Sequence, residues 1–152
     1  MVGISLLEFA DKLDEIMPVL VKEFSRRQAI ELYKGKITVP QFLALGFLHS
    51  QGESKMSNLA KFMRVSTAAM TGIIDRLVRD GYALRQNDPG DRRIIKVKLT
   101  DKGNVLIKKI YQQRKEMIIK IFGKISETDR YEYLRILMQV KEILTQGNGG
   151  LQ

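Results

Sequence analysis

The sequence predicts a mainly α fold carrying one small β-hairpin, and three observations support that prediction. Apolar residues recur at helical spacing over most of the 152 residues. The pattern breaks once, where two β-prone runs, "YALRQ" and "IIKVKL", flank the turn sequence Asp88–Pro89–Gly90–Asp91. The net charge of +9 is concentrated around the same region, with 13 basic and 6 acidic residues between Ser50 and Lys109 against 13 and 11 elsewhere. An excess confined to one region is expected of a surface that meets a polyanion, although a solvated basic face has the same composition.

The elements follow in order. From Ile4 to Lys34, residues Leu6, Leu13, Ile16, Met17, Leu20, Val21 and Phe24 favour one helical face. Pro18 predicts a kink or a fresh start within that helix, and Gly35 its stop. "TVPQ", Thr38 to Gln41, has the form of a capping box with an early proline, so a second helix begins there and ends near Gln51–Gly52. Ser57 is the expected N-cap of a two-turn helix, "NLAKFM". After the tight connection "RVS", Ser66 caps a longer helix that runs to Asp80 and stops at Gly81.

In that longer helix Met70, Ile73, Ile74 and Leu77 share the core face. The opposite face collects Ala68, Thr71, Gly72, Asp75 and Arg79, with Arg76 at its edge. The hairpin places Ile95, Val97 and Leu99 inward and Lys96 and Lys98 toward solvent. Thr100 caps a long helix to about Phe122, Gly123 breaks it, and "SETD" at Ser126 opens a last helix carrying Tyr131, Leu134, Leu137, Val140 and Leu144. Residues 147–152, "GNGGLQ", are expected to be disordered.

Several chemistries find no support. With no cysteine, disulfides, thiolate metal sites and thiol redox switches are excluded, which suits a cytoplasmic protein. Neither a leader nor an apolar run of about 18 residues is seen, so no membrane association is expected. His49 is the only histidine and has no carboxylate cluster near it in sequence; no phosphate-binding loop or nucleophile motif occurs. No enzyme activity, cofactor or metal is expected.

A short helix and a capped second helix at a tight turn form a helix-turn-helix, and the hairpin after it makes the unit winged. The B-DNA major groove admits one helix, and the small residues Ala68 and Gly72 let its backbone approach closely. Thr67, Thr71, Arg76 and Arg79 are suited to base edges, whereas Ser66 and the helix N-terminus suit a phosphate. Arg85, Lys96 and Lys98 are each candidates for phosphate contact or for a solvated strand face, and Arg85 also for pairing with an acidic group of the wing.

"SNLAKFMRVSTAAMTGIIDRLVRDGYALRQNDPGDRRIIKVKLTDKG", Ser57 to Gly103, resembles the core of the MarR family of bacterial transcriptional regulators. The likeness rests on "LA" before the turn, "IIDRLVRDGY", and above all "DPGDRR" followed by "LTDKG", and the flanking helices extend it over nearly the whole chain. The resemblance implies a homodimer, with residues 1–37 and 101–146 as the helical dimerisation region. It makes residues 38–100 the winged helix-turn-helix that binds a pseudo-palindromic double-stranded operator, most simply as a repressor. Apolar residues on more than one stripe of the terminal helices, Ile107, Ile110, Ile118, Ile119 and Ile121 among them, point to a partner chain independently. By resemblance Arg93 enters the minor groove, Asp91 braces its guanidinium through a salt bridge, and Arg92 meets phosphate. A small aromatic or amphipathic effector is also implied, with Phe42, Phe47, His49 and Tyr111 near its expected place, though core packing is the better explanation of each. The alternative function is a winged-helix module that binds protein or RNA.

Overall fold

The computed structural model describes residues 3–32 and 37–146. Lys34 and Gly35, expected to end the first helix, and the tail 147–152 lie outside the described residues. The chain divides into two compact units, Met1–Gln113 and Arg114–Gln152.

Helix α1, Leu6–Leu32, runs without interruption through Pro18, so no fresh start occurs there. Proline withholds one amide donor, and on an exposed helix water can satisfy the carbonyl this frees. A side-chain cap at Ser5, not among those predicted, starts the helix. Ser5 Oγ accepts from the Glu8 amide at 3.2 Å, and the Ser5 amide donates to Glu8 Oε2 at 2.9 Å, a capping box spelled by "SLLE". Helix α2, Val39–Gln51, begins at the predicted box, with the Gln41 amide on Thr38 Oγ1 and the Thr38 amide on Gln41 Oε1. It stops at Gly52, whose φ of 81° suits glycine.

Strand β1, Ser54–Lys55, was not foreseen, and with it the expected hairpin becomes a three-stranded antiparallel sheet. Strands β2, Ala83–Asn87, and β3, Ile95–Leu99, pair from Ala83 with Leu99 to Asn87 with Ile95. β1 adds to the other edge of β3 through Ser54 with Val97 and Lys55 with Lys96. This strand also displaces Ser57 from its expected capping role. The chain leaves the sheet directly into helix α3, Met56–Met63, whose N-cap is Lys55.

Helix α4, Thr67–Arg79, begins as predicted at Ser66, whose Oγ accepts from the Ala69 amide at 3.1 Å. The turn between α3 and α4 holds Arg64 in the left-handed conformation, φ 52°, and Gly81 takes φ 79° after α4. The core of the first unit is built from Leu45, Leu48, Leu59, Met70, Ile74, Leu77, Val97 and Ile107, all fully buried. Each aliphatic side chain of this kind contributes about 1.5–3 kcal/mol on burial. Met70, Ile74 and Leu77 hold α4 by its predicted inner face, with Ile73 packed beside them.

Helix α5, Asp101–Phe122, is tied down at its start by Thr100. That hydroxyl donates to the Gly81 carbonyl at 2.7 Å and accepts from the Gly103 amide at 3.0 Å, while the Thr100 amide donates to the Tyr82 carbonyl at 3.1 Å. A Cβ on Gly103 would lie 2.0 Å from the Tyr82 oxygen, so the glycine of "LTDKG" permits this approach. In the second unit, Ser126 caps helix α6, Glu127–Gln146, by accepting from the Asp129 amide at 3.1 Å. Asp129 returns to the Ser126 hydroxyl rather than to its amide, so the predicted box closes through side chains. Phe122 stacks on Tyr133, 5.5 Å between ring centres, yet α6 has no buried residue.

Candidate nucleic-acid interface

Because α4 is fixed by its apolar face, its other face is presented outward as a set. Ser66, Thr67, Ala68, Thr71, Gly72, Asp75, Arg76 and Arg79 are all exposed. Nothing lies within 4 Å of where a Gly72 Cβ would stand, so packing inside the chain does not account for that glycine. The Thr71 hydroxyl donates to the Thr67 carbonyl at 2.9 Å, which keeps its lone pairs outward. Arg76 is exposed on this face, and Arg79 meets Asp80 at 3.2 Å in an exposed pair of little energetic weight.

Arg85 reaches across to this helix. Its Nη1 is 2.5 Å from Asp75 Oδ1 and its Nη2 is 3.4 Å from the Thr71 carbonyl oxygen. Its acidic partner therefore lies on α4 and not, as the sequence suggested, in the wing. The pairing ties β2 to the outer helix by a contact ten residues apart in sequence, a spacing that no helical or strand periodicity announces.

The wing turn is built by carboxylates. Asp88 Oδ1 accepts from the Gly90 amide at 2.8 Å and the Asp91 amide at 3.3 Å, and Asp91 Oδ1 accepts from the Arg93 amide at 2.9 Å. The expected brace from Asp91 to the Arg93 guanidinium is thus corrected: the carboxylate holds the backbone of Arg93 and leaves its side chain outward. Arg92 and Arg93 are exposed, and among the described residues neither guanidinium is in an ion pair.

Lys96 departs further from expectation. It neighbours the buried Val97 on β3 and so faces away from the core, but it is not free there: its ammonium sits between Glu53 Oε1 at 2.9 Å and Asp88 Oδ2 at 2.7 Å. Hydrogen bonds from Lys96, with its charge adding, hold Glu53 and Asp88 below the usual carboxylate range. The same bonds raise the lysine. Lys98, on the same strand, is partly exposed and lies near enough to lower Glu53 further.

Between α4 and the wing lies an open groove of about 650 Å³. Thr67, Thr71, Arg85 and Arg93 line it together with Ser57 and Lys55, which the sequence reading had not assigned to any site. Met56, Ile94 and Ile95 line it as well, so hydroxyl and cationic groups stand beside apolar side chains, and Ile95 is exposed there and not inward as strand alternation predicts.

Of the residues near the expected effector site, three come together. Phe42 meets Tyr111 edge-on, 5.9 Å between ring centres, and the His49 ring lies 6.0 Å from Tyr111. His49 Nδ1 is 3.2 Å from Asn104 Oδ1, and the Tyr111 hydroxyl lies 2.7 Å from where a Gly46 Cβ would stand. Phe47 packs instead against Phe62, 4.5 Å between centres, and does not join the cluster. Among the described residues no group of histidines and carboxylates is arranged to hold a metal, and no helix is long and apolar enough to cross a membrane.

Two helices meeting at a tight turn, a sheet whose β2–β3 turn projects two exposed arginines, and a donor-rich outer helix face define a winged helix-turn-helix of the nucleic-acid-binding kind. The MarR family model matches residues 37–95. The uncharacterized HTH-type transcriptional regulator YhbI of Bacillus subtilis is 30% identical over 143 residues, which make up 94% of this chain and 92% of the relative. The HTH-type transcriptional repressor MdtR of the same organism is 27% identical over 76% of this chain and 80% of its own. A MarR family protein from Bacillus stearothermophilus shares the fold, with a TM-score of 0.82 over 93% of this chain and 99% of that one at 21% identity. The chain belongs to the MarR family and is a DNA-binding transcriptional regulator.

Proposed function

We propose that the protein is a homodimeric repressor that binds a pseudo-palindromic double-stranded operator. Residues 38–100 would supply the DNA-binding region, and residues 1–37 and 101–146 the dimerisation region. The observation that carries the reading is the joint exposure of the α4 outer face and the unpaired Arg92 and Arg93 on one winged unit. In this reading Thr67, Thr71, Arg76 and Arg79 meet base edges in the major groove, while Ala68 and Gly72 permit the approach. Ser66 holds a phosphate at the helix N-terminus. Arg93 enters the adjacent minor groove, where narrow A·T-rich segments attract a guanidinium, and Arg92, Arg85 and Lys98 contact phosphates.

Dimerisation is supported by apolar surface that the single chain leaves bare. Leu6, Leu7, Leu13, Ile16 and Leu20 of α1 are exposed, as are Leu134, Leu137, Val140, Ile143 and Leu144 of α6. Apolar stripes of this extent mark contact surfaces. Two half-sites would then lie about 34–36 Å apart, one DNA turn. Release by a small aromatic effector is supported by the family and by the grouping of Phe42, His49 and Tyr111.

Selection of bound sequences from a random duplex pool, with the mass of the free protein measured in solution, tests the reading. A palindrome and a dimer are expected, and affinity should fall steeply with salt because each neutralised phosphate contributes about −0.9 to the logarithmic slope. Binding indifferent to salt, or a monomer that binds an unpaired half-site, would overturn it.

A further inference from the structure

One continuous run of bonds leads from the body of the winged unit to its tip. It begins at Glu53, in the short segment between α2 and β1, whose Oε2 accepts from Gln86 Nε2 at 2.7 Å and whose Oε1 receives Lys96 at 2.9 Å. Lys96 passes to Asp88 Oδ2 at 2.7 Å. The other oxygen of Asp88 takes the Gly90 and Asp91 amides, and Asp91 takes the amide of Arg93. An ammonium has three donors and no acceptor, and this one has two carboxylates at hydrogen-bond distance with only 22% of its side chain exposed. Two of its three donors are taken, and turning the ammonium out toward a phosphate would strain both pairs and leave two carboxylates less compensated beside a polyanion.

We propose that Lys96 is a positioning residue for the wing and not a contact to DNA. With Glu53 and Asp88 it fixes the turn that carries Arg92 and Arg93, so that both guanidiniums are presented in one direction before any ligand arrives. Isolated surface ion pairs contribute little, but this one is a network of three charges whose carboxylates also hold backbone and side-chain donors. The inference about DNA affinity rests on the operator-binding reading above. The effect on the wing itself does not.

Two variants of the full-length protein test it, Lys96→Met and Glu53→Gln, against the duplex that the wild type selects from a random pool. If charge alone mattered, removing the Glu53 carboxylate near DNA would tighten binding. A tether predicts the opposite sign, with both variants weakening binding by roughly three- to tenfold. The salt slope should change alike in the two variants, whereas loss of a phosphate contact made by Lys96 would reduce it by about 0.9 in Lys96→Met alone. Tighter binding by Glu53→Gln, or a slope reduced in Lys96→Met alone, overturns the proposal. Hydrogen exchange supplies a readout that needs no DNA. The amides of Gly90, Asp91 and Arg93 should exchange several-fold faster in both variants, with the protection of the α4 amides unchanged. Unaltered wing amides refute the tether even if the wild type binds no duplex at all, and that failure would instead refute the operator-binding reading.

Discussion

Replacing Gly103 with alanine offers a severe test of how the DNA-binding unit is locked to the helix that follows it. Helix propensity alone favours alanine over glycine by about 1 kcal/mol, so a helix considered in isolation would be stabilised. The structure predicts the reverse. A Cβ at this position would stand 2.0 Å from the Tyr82 carbonyl oxygen and 3.0 Å from its carbon, where ordinary contact begins at 3.4 Å. The obstacle is backbone rather than a movable side-chain end, so the start of α5 must shift by more than an ångström. That shift strains the Thr100 amide bond to Tyr82 and the Thr100 hydroxyl bond to Gly81. Two such bonds are together worth about 2 kcal/mol, and forced overpacking costs about 1–3 kcal/mol. After the propensity gain is subtracted, a net loss of about 2–4 kcal/mol remains. For a chain of this size each kcal/mol moves the melting temperature by about 2–4 °C, so a fall of roughly 5–15 °C is expected. Thermal melting by circular dichroism at one fixed protein concentration measures it, since an oligomer's melting depends on concentration. A variant that melts at or above the wild-type temperature would refute the claim that this approach is rigid.

Other outcomes follow from the same geometry. Gly72→Ala, with open space where its Cβ would stand, should raise stability by about 0.5–1 kcal/mol in urea unfolding while weakening operator binding, because the added methyl enters the face offered to the groove. Arg93→Ala should weaken operator binding by about 1–3 kcal/mol in titrations with labelled duplex and leave the melting temperature and the dimer unchanged. Substituting Arg76 or Thr71 should change which bases are recovered from a random pool rather than lowering affinity for all sequences alike. Glu53 and Asp88 are held below their ordinary values by Lys96, so their contribution to stability is complete above the usual carboxylate range and is lost as pH falls through their lowered values. The difference in melting temperature between wild type and Lys96→Met should therefore be constant near neutrality and shrink below about pH 4.

Most helices could be read directly because their signals are local. Thr38 with Gln41, Ser66 with Ala69 and Thr100 with Gly103 are caps completed within three residues, and the sequence places each in plain view. The inner face of α4 was equally readable, since Met70, Ile74 and Leu77 follow the helical period. What escaped depends on pairing across the chain. Strand β1 has only two residues, too few to alternate, and exists because Val97 and Lys96 of β3 offer it an edge. Arg85 finds Asp75, and Lys96 finds Glu53 across 43 residues, through folding and not through spacing. Asp91 shows a subtler limit. The family resemblance implies contact between its side chain and that of Arg93, whereas a short carboxylate two residues before an amide reaches that amide more readily. The cap at Ser5 is equally local, since "SLLE" contains both of its partners.

Helix α6 spans twenty residues and buries none of them. Most helical stability in proteins comes from packing an apolar face, so much of its order has to be lent by another surface. If that surface is a second copy, folding of this segment is a bimolecular event. Occupancy of an operator then rises with the square of protomer concentration when dimers are scarce, and halving the supply of newly made chain lowers occupancy by more than half. A single exposed helix would thus give the regulator a concentration threshold before any effector is present.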